Sequence, residues 1–454
     1  MKLISLNPFT EEVNGEFQPM DYTQCERAAQ EARVAFDSWE TAPLAERTEQ
    51  IRKTGGILRE GRRRFAEIIT KEMGKPIAQA LSEIDKCASV CDYCAEISAG
   101  FLKKEPIETG ARNSYVSFEP LGVILGIMPW NFPFWQVFRF AIPTLTAGNV
   151  CLLKHSSNVP LSALAIQEIF DTAGYPPHVF RSLLTDSNAA RNLIENEQVD
   201  GVSLTGSVGA GSEVGSTAGK RLKKMVLELG GSDPFIVLDE ANVGQAVEAA
   251  IAARMFNTGQ SCIAAKRFIV MKSVAAEFQQ RLVDRFKSLK MGDPMDENTH
   301  IGPVARREFV QVLDDQLADA VKKGGTVYYS QGPLPEKGFF FRPAVVIHVT
   351  PEMRIVREEV FGPIAPIQVA ESDEEVAALA NSTPFGLGAC IWSWNTSRAE
   401  RLSRKIRAGI VAINDLVRSD PRLPFGGVKK SGVGRELSHY GLKEFVNVKT
   451  IVIK

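Results

Sequence analysis

The sequence predicts an α/β protein with two doubly wound domains, and three observations support this fold class. Short apolar segments rich in β-branched residues alternate with helical segments over most of the chain, which is the pattern of parallel sheets with crossover helices. The length of 454 residues is too great for one small core and suits two or three domains. The alternation divides near Gly230, where LELGG is followed by DPFIVL.

The N-terminal segments predict helices that open the chain. CERAAQEARVAFDSW and RTEQIRKTGGILREGRRRFAEIITKEMG carry apolar residues at a period of about 3.6 beneath charged faces. SYVSFEPLGVILGIMP then alternates as strands do. A first series of strands and helices follows, in the order NVCLLKH, LSALAIQEIFDTAG, VFRSLL, SNAARNLIEN, VDGVSLTG, GAGSEVGSTAG and KKMVLELGG.

A second α/β series begins after Gly230. Its segments keep the same alternation of apolar strands and amphipathic helices. They are DPFIVL, AVEAAIAARMF, KRFIVM, AAEFQQRLVDRFKSL, AVVIHV, EVAALANS, ACIWS and GIVAIND.

Composition narrows the classes of partner and the compartment. With 53 basic and 54 acidic residues, no overall field attracts nucleic acid or a membrane surface. The start, MKLISLNPFT, has neither the features of a secretory signal nor those of a transit peptide. Prolines and glycines interrupt the long uncharged run around Arg139, so no transmembrane helix is predicted. Seven cysteines indicate free thiols, and we expect a cytoplasmic protein with a small-molecule partner.

Three cysteines, Cys87, Cys91 and Cys94, have the C-x3-C-x2-C spacing that can hold an iron–sulfur cluster. The same spacing places them, with Ile84, on one apolar stripe of a helix. The segment has no glycine-rich loop of the kind such a cluster needs. We therefore interpret the three as buried core residues and predict no metal site.

A glycine-rich turn offers a candidate phosphate site. In VDGVSLTGSVGAGSEVGSTAG a strand ends near Thr205, and Gly206 and Gly211 precede or open a helix. Backbone N–H groups and a helix N-terminus at such a turn can face a pyrophosphate. The glycine spacing departs from the usual dinucleotide fingerprint, so tight helix packing against the sheet explains the turn equally well.

Three residues point to nucleophilic chemistry. Cys262 lies in the loop NTGQSC between a helix and a strand, where a thiol can be presented. Glu228 ends an apolar strand before two glycines, at the edge where open α/β sheets hold ligands, and could act as a general base. Asn131, between two prolines, projects one amide that could stabilise an oxyanion. Each residue alone has an ordinary structural explanation, but their combination is distinctive.

The motifs PWNFP, AGNVCLLKH, LTGSVGAG, LELGGSDP, NTGQSC, EEVFGP and PFGGVKKSGVGRE occur in one order along the chain. In this the sequence resembles the aldehyde dehydrogenase superfamily over its whole length, most of all the short succinate-semialdehyde dehydrogenases. The resemblance implies a cofactor-binding domain (1–105 and 121–229), a catalytic domain (230–439) and a small β oligomerisation element (106–120 and 440–454). It also implies a homodimer or homotetramer.

The resemblance further implies a mechanism. Cys262 attacks the aldehyde, Asn131 and the Cys262 backbone N–H hold the oxyanion, and Glu228 activates the water that hydrolyses the thioester. This carboxylate favours release of a free acid over acyl transfer to coenzyme A. The residues assigned to the cofactor by resemblance are Trp130, Lys154, Ser157, Gly206, Ser207, Glu359 and Phe361.

One departure from the family pattern bears on the cofactor. Many members read Lys-Pro-Ser-Glu where this chain reads Lys154, His155, Ser156 and Ser157. A glutamate there would repel the 2′-phosphate of NADP, whereas Ser157 can donate a hydrogen bond to it beside Lys154. We therefore predict a preference for NADP, with NAD also possible.

Arg139 is the only charged residue in the uncharged run that follows Pro120. By resemblance it binds the distal carboxylate of a short ω-carboxy aldehyde, assisted by Ser419, which predicts oxidation of succinate semialdehyde to succinate. Phe256 stands where many such enzymes have a second arginine. Glutarate semialdehyde and uncharged aldehydes therefore stay open as substrates, as do a pairing of Arg139 with a carboxylate of its own protein and a non-catalytic role for the fold.

Overall fold

The computed structural model describes residues 2–454. The chain opens on an antiparallel hairpin of β1 (Leu3–Leu6) and β2 (Val13–Phe17), so the prediction that helices come first is wrong. Val13–Phe17 is largely exposed and lacks the apolar alternation by which a strand is identified. Four helices follow: α1 (Tyr22–Trp39), α2 (Leu44–Glu60), α3 (Arg62–Met73) and α4 (Ile77–Phe101).

The first series of alternating elements follows the predicted order. Its members are β3 (Glu105–Pro106), β4 (Asn113–Pro120), β5 (Val123–Met128), α5 (Trp135–Thr146), β6 (Val150–His155), α6 (Pro160–Thr172), β7 (Phe180–Leu183), α7 (Ser187–Glu195), β8 (Gly201–Thr205), α8 (Val208–Lys220) and β9 (Lys224–Glu228).

The second series contains elements that the sequence did not reveal, among them α11, β12 and β14. Its members are β10 (Asp233–Val237), α9 (Val243–Met255), β11 (Ala265–Met271), α10 (Lys272–Lys287), α11 (Arg307–Lys322), β12 (Thr326–Tyr329), β13 (Ala344–Ile347), α12 (Arg354–Arg357), β14 (Ile364–Ala370), α13 (Asp373–Asn381), β15 (Gly388–Trp392), α14 (Thr396–Ser403) and β16 (Ile410–Ile413). The chain ends with β17 (Gly432–Val433), α15 (Ser438–Leu442) and β18 (Val446–Ile453).

Two mainly parallel sheets form the body of the protein. The first has six strands in the order β17-β9-β8-β5-β6-β7, and the second has seven in the order β12-β13-β14-β11-β10-β15-β16. Only the β17–β9 and β12–β13 pairs are antiparallel within these sheets. The predicted α/β class with two doubly wound sheets is thereby confirmed.

The remaining strands form a small antiparallel sheet in the order β18-β4-β3. Its main pairing runs from Val446 opposite Pro120 to Ile453 opposite Asn113. β18 is an edge strand, and the side chains of Val448 and Val452 on it are exposed. How the chain divides into domains stays a prediction.

The order of the first sheet creates a switch point between β5 and β8. From β5 the chain moves outward through β6 to β7, whereas β8 and β9 lie on the opposite side of β5. Ligands in open α/β sheets bind at such points, beyond the carboxyl ends of the strands. Asn131 follows β5, Lys154 lies at the end of β6, Gly206 follows β8 and Glu228 ends β9, so four predicted site residues share this edge.

Candidate active site

Cys262 lies three residues beyond a strained turn. The 3-10 turn Phe256–Gly259 contains Asn257 and Thr258, both at φ 55°, followed by Gly259 at φ 77°. Two successive non-glycine residues in the left-handed region are costly, and such strain persists only where surrounding contacts fix it. The turn therefore holds the Cys262 loop in one conformation.

A buried guanidinium fixes this turn from behind. Arg254, the penultimate residue of α9, donates to the carbonyls of Gly259 at 2.8 Å, Ala265 at 3.0 Å and Val360 at 3.2 Å, and also to that of Gly362. These bonds join the turn to β11 and to the loop before β14. Arg254 was not predicted as a site residue. An arginine in the largely apolar segment AVEAAIAARMF could have indicated a buried charge with a structural role.

Asn131 connects the first sheet to the same loop. Its side-chain Nδ2 donates to the Gln260 carbonyl at 3.1 Å, and its backbone carbonyl accepts from Asn257 Nδ2 at 2.8 Å. A primary amide carries two N–H donors, so one donor of Asn131 holds the loop and the other is available to a ligand. Asn131, distant in sequence, is thus hydrogen-bonded to the loop that carries Cys262.

His155 holds the PWNFP turn from the side of β6. Its Nε2 lies 2.8 Å from the Pro133 carbonyl, while its Nδ1 accepts from the Ser156 backbone N–H at 2.8 Å. Burial lowers the pKa of His155 to about 4, so the ring is neutral at physiological pH and Nε2–H is the donor to Pro133. The histidine that departs from the family pattern therefore positions the turn that carries Asn131.

Glu228 is a buried carboxyl group with open hydrogen-bonding capacity. Among the contacts within residues 2–454, neither of its oxygens has a hydrogen-bond partner. A Cβ atom at Gly426 would come within 2.6 Å of Glu228 Oε1, so a glycine there leaves space for the carboxyl group. Burial, and after it the nearby Glu436, raises the pKa of Glu228 well above its ordinary value. The raised pKa moves the titration of this carboxyl group toward the pH range in which general acid–base catalysis operates.

Cys262 is half-buried, and its thiol is protonated at rest. Burial raises the pKa of Cys262 to about 11, although Lys266 and Arg139 oppose the rise. The ammonium of Lys266 donates to the Cys262 carbonyl at 2.5 Å and lies 3.1 Å from Glu359 Oε1. Lys266, also missed in the sequence, therefore ties the nucleophile to the predicted cofactor residue Glu359.

A cavity of about 140 Å³ opens beside the thiol. Its volume suits a small aldehyde, since pockets for drug-sized ligands measure about 300–1,000 Å³. The cavity brings together Cys262 and the two predicted substrate residues, Arg139 and Ser419. Three aromatic residues and a lysine also line the cavity: Phe132, Trp135, Phe256 and Lys86.

Arg139 already has an anionic partner. It is 1% exposed, and its Nε lies 2.5 Å from Glu436 Oε2. Its Nη2 donates to Thr205 Oγ1 at 3.3 Å, and its guanidinium lies 4.6 Å from the centre of the Phe425 ring. The pairing with a carboxylate of its own protein, the alternative raised above, is thus present. A direct contact of Arg139 with the substrate stays a prediction.

Lys154 and Ser157 share a cavity of about 600 Å³, and Lys154 also lines one of about 120 Å³ between α7 and α8. Burial lowers the pKa of Lys154, an effect that Asp186 opposes. Ser207 caps α8 and accepts from the Ala210 backbone N–H at 3.2 Å. A capped helix N-terminus that shares a cavity with a buried ammonium fits a phosphorylated dinucleotide, and Gly206 lies in the turn just before this helix.

The residues predicted to contact the nicotinamide end have contacts with the glycines after β9 and with one another. Glu359 accepts from the Gly231 backbone N–H at 3.0 Å. Phe361 meets Trp130 edge to face, with ring centres 5.8 Å apart. A Cβ atom at Gly230 would collide with the Glu359 carboxylate, which explains the glycine at this position. Their cofactor roles stay predictions.

The cysteines of α4 lie in the core. Cys87, Cys91 and Cys94 are buried on one face of the helix, and burial raises the pKa of each thiol. Across residues 2–454, no group of three or more His, Cys, Asp or Glu side chains is arranged to hold a metal ion. No helix in that same range is long and apolar enough to cross a membrane.

The chain belongs to the aldehyde dehydrogenase family, whose sequence profile matches residues 2–451. The family is one of enzymes, and its members share a cysteine-based mechanism. The predicted resemblance is therefore confirmed.

Individual relatives are similar over their whole length. A probable succinate-semialdehyde dehydrogenase (NADP+) of Synechocystis is 46% identical over 453 residues, covering 100% of both chains. A succinate semialdehyde dehydrogenase (NAD(P)+) of Escherichia coli is 43% identical, covering 99% of this chain and 97% of its own. The crystal structure of a succinic semialdehyde dehydrogenase from Streptococcus pyogenes with NADP+ matches with a TM-score of 0.97, 36% identity and 99% coverage of both chains.

Proposed function

We propose that this chain oxidises succinate semialdehyde to succinate, with NADP+ as the preferred cofactor. The observation that carries the proposal is the small cavity whose wall contains both the Cys262 thiol and a cationic, hydroxyl-bearing end formed by Lys86, Arg139 and Ser419. An aldehyde with a carboxylate at its far end can place its carbonyl group at the thiol and its carboxylate at the cationic end. The similarity to the Synechocystis and Escherichia coli enzymes supports the same substrate.

The first step is capture of the aldehyde by sulfur. The Cys262 thiol gives its proton to water or to the Glu228 carboxylate, the thiolate attacks the carbonyl carbon, an S–C bond forms, and the π electron pair moves to oxygen. The free N–H of the Asn131 amide and the Cys262 backbone N–H stabilise this oxyanion. Because Asn131 is buried and bonded to Gln260, its donor is oriented before the charge develops, which is the condition for strong electrostatic stabilisation.

NADP+, when bound, supplies the acceptor for the hydride that leaves the adduct. Lys154 and Ser157 would hold its 2′-phosphate, Gly206 and Ser207 its pyrophosphate, and Glu359, Phe361 and Trp130 its nicotinamide end. Lys266 contacts both Glu359 and the Cys262 backbone carbonyl. It therefore fixes the position of the nucleophile relative to the cofactor site.

Release of the acid depends on Glu228. After oxidation the acyl group is bound to Cys262 as a thioester, and Glu228 takes a proton from the attacking water. The resulting hydroxide adds to the thioester carbon, the S–C bond breaks, and the carboxylate product departs. The raised pKa of Glu228 makes this carboxyl group a stronger base, once ionised, than an exposed glutamate.

Phe256 favours a second candidate function. Its ring lines the cavity and stacks on Phe132 with ring centres 5.7 Å apart, where many relatives have an arginine. An apolar wall there accommodates glutarate semialdehyde or an uncharged aldehyde at a modest cost, since one methylene changes selectivity by only about 1–3 kcal/mol.

The test mixes the purified protein with NADP+ and, in turn, succinate semialdehyde, glutarate semialdehyde and butyraldehyde, and follows reduced cofactor. The highest kcat/KM is expected for succinate semialdehyde. A higher value for butyraldehyde would favour the second candidate, and no reduced cofactor with any aldehyde would indicate a non-catalytic member of the fold.

We also propose that the chain is a cytoplasmic homodimer or homotetramer. All seven cysteines are free thiols, which suits a reducing compartment. The exposed edge strand β18 carries Val448 and Val452 on its surface, and the unpaired backbone groups of such an edge can bind a strand of another chain. The proposed domains are those predicted from the sequence, with 106–120 and 440–454 as the oligomerisation element.

A further inference from the structure

We propose that Lys86 on α4, together with the Ser419 hydroxyl, binds the distal carboxylate of the substrate and so determines the preference for acidic aldehydes. This inference rests on the proposed function and identifies the charge that performs its recognition. Arg139, on this view, shapes the cavity from behind and does not supply its open positive charge.

The ammonium of Lys86 faces the cavity that contains the Cys262 thiol. Lys86 contacts Ser419 Oγ at 2.5 Å, and its Nζ lies 4.3 Å from the centre of the Trp135 ring. Both Ser419 and Trp135 are buried. The charged end of this half-buried side chain is therefore inside the protein, in the same small space as the reacting thiol.

The other charges near the cavity already have partners. Arg139 is paired with Glu436. Glu83 pairs with Lys75 and accepts from the backbone N–H groups of Phe134 and Trp135, each at 3.0 Å. In contrast, Lys86 forms no ion pair within residues 2–454, and its polar contact is a neutral hydroxyl. A desolvated cation without an anion is costly, and a ligand carboxylate would remove that cost.

Asp420, on the loop after β16, is an acidic residue that could compete with a ligand carboxylate for Lys86. Its two oxygens accept from Arg422 at 2.9 and 2.7 Å, so a bidentate pair already satisfies it. It acts on Lys86 only as a more distant charge. The ammonium therefore stays available to a molecule in the cavity.

The hydrogen bonds of Ser419 orient its hydroxyl proton toward an acceptor. A hydroxyl has two lone pairs and one donor. Ser419 Oγ accepts from Trp135 Nε1 at 3.0 Å and from Lys86 Nζ at 2.5 Å, which occupies both lone pairs. The remaining O–H can only donate. Together with the free N–H groups of Lys86, it forms a donor set that matches a carboxylate and does not match an apolar end group.

The protonation state of Lys86 should make the selectivity for acidic aldehydes depend on pH. Burial, and after it Arg139, lowers the pKa of Lys86 to about 8, while Cys87, Glu83 and Asp420 act in the opposite direction. Only the ammonium attracts a carboxylate, so selectivity for acidic aldehydes should be full below pH 8 and decline above it. Cys262 ionises equally for every aldehyde, and a ratio between two aldehydes cancels its effect.

The experiment measures kcat/KM for succinate semialdehyde and for butyraldehyde, and takes their ratio at pH 7 and pH 9. The variants are Lys86→Met, which keeps the side-chain length, and Lys86→Arg, which keeps the charge. Lys53→Met, an exposed lysine on α2, is the matched control. Thermal denaturation of each variant verifies folding. The ratio should fall about 10- to 100-fold in Lys86→Met, as expected for loss of a hydrogen bond to a charged group.

Two further results complete the expected pattern. Lys86→Arg should retain most of the selectivity and lose the decline between pH 7 and pH 9, because arginine stays charged. Lys53→Met should match the wild type. An unchanged ratio in folded Lys86→Met would overturn the inference and leave the proposed function intact. A wild-type enzyme that does not distinguish the two aldehydes would overturn both.

Discussion

Arg139 and Glu436 form a buried ion pair, with 2.5 Å between Nε and Oε2, at the back of the cavity that contains Cys262. The pair connects α5 to the segment just before α15. Glu436 raises the pKa of Glu228 and Arg139 lowers it, so both charges of the pair act on the catalytic carboxyl group. The pair is therefore part of the site's electrostatics as well as of its packing.

Removing only Arg139 should destabilise the protein. In Arg139→Met the Glu436 carboxylate is left buried without its cation, which typically costs about 3–5 kcal/mol in the free energy of unfolding. The double variant Arg139→Met/Glu436→Gln should recover most of that loss, because both charges are gone. Denaturant unfolding of the two variants and the wild type measures the difference. Equal losses in the single and double variants would show that the pair is not the source of stability.

Asn131→Ala should lower kcat by about 10²- to 10³-fold, the usual effect of losing one oxyanion donor. The substitution removes the bond from Asn131 Nδ2 to Gln260 but keeps the one that the Asn131 backbone carbonyl accepts from Asn257. The Cys262 loop should therefore stay in place, and the alkylation rate of Cys262 serves as the control. A parallel loss of alkylation would instead indicate a displaced loop.

Glu228→Gln should separate oxidation from hydrolysis. Without the carboxylate the thioester persists, so steady-state kcat should fall by about 10²- to 10⁴-fold, while one equivalent of reduced cofactor forms in a burst. Hydroxylamine, which attacks thioesters without a general base, should restore turnover. A variant that shows neither burst nor rescue would assign Glu228 to the deprotonation of Cys262 instead.

The order of strands and the main catalytic residues could be predicted because they depend on local patterns. Strands such as Val123–Met128 are continuous apolar runs, and Cys262, Glu228 and Asn131 stand in short motifs at loop and strand ends. The hairpin at Val13–Phe17 escaped prediction, since its exposed strand has no apolar face and its position is fixed by tertiary contacts.

The charges behind these motifs could not be predicted in the same way. Lys86 and Ser419 are separated by 333 positions, and no spacing in the sequence indicates that they meet. Arg139 was evident as an isolated charge, but its partner Glu436 was not. Which cation is neutralised and which is left open depends on the packing of α4, α5 and α15 against one another, and therefore only appears in three dimensions.

Cys262 should become steadily more reactive as pH rises. Its pKa of about 11 lies above the experimental range, so the thiolate fraction should increase about tenfold per pH unit. The rate of inactivation by iodoacetamide, measured without aldehyde between about pH 7 and pH 9, should rise with that slope and without a plateau. In Cys262→Ser, mass spectrometry should detect no carboxamidomethyl adduct over the same period, because the other six cysteines are buried. A plateau below pH 8 would contradict a burial-raised pKa.

Ser157→Glu should shift the cofactor preference from NADP+ toward NAD+. Ser157 lines the same cavity as Lys154 and Arg306, two cations that suit the additional phosphate of NADP+. A glutamate at this position would repel that phosphate and could accept hydrogen bonds from the ribose hydroxyls of NAD+. The ratio of kcat/KM for NADP+ over that for NAD+ should fall by about 10-fold or more, equivalent to about 1.4 kcal/mol. Ser216→Glu, which places the same charge on the exposed face of α8, should leave the ratio unchanged. If both variants alter the ratio equally, the effect is one of overall charge, and Ser157 does not select the cofactor.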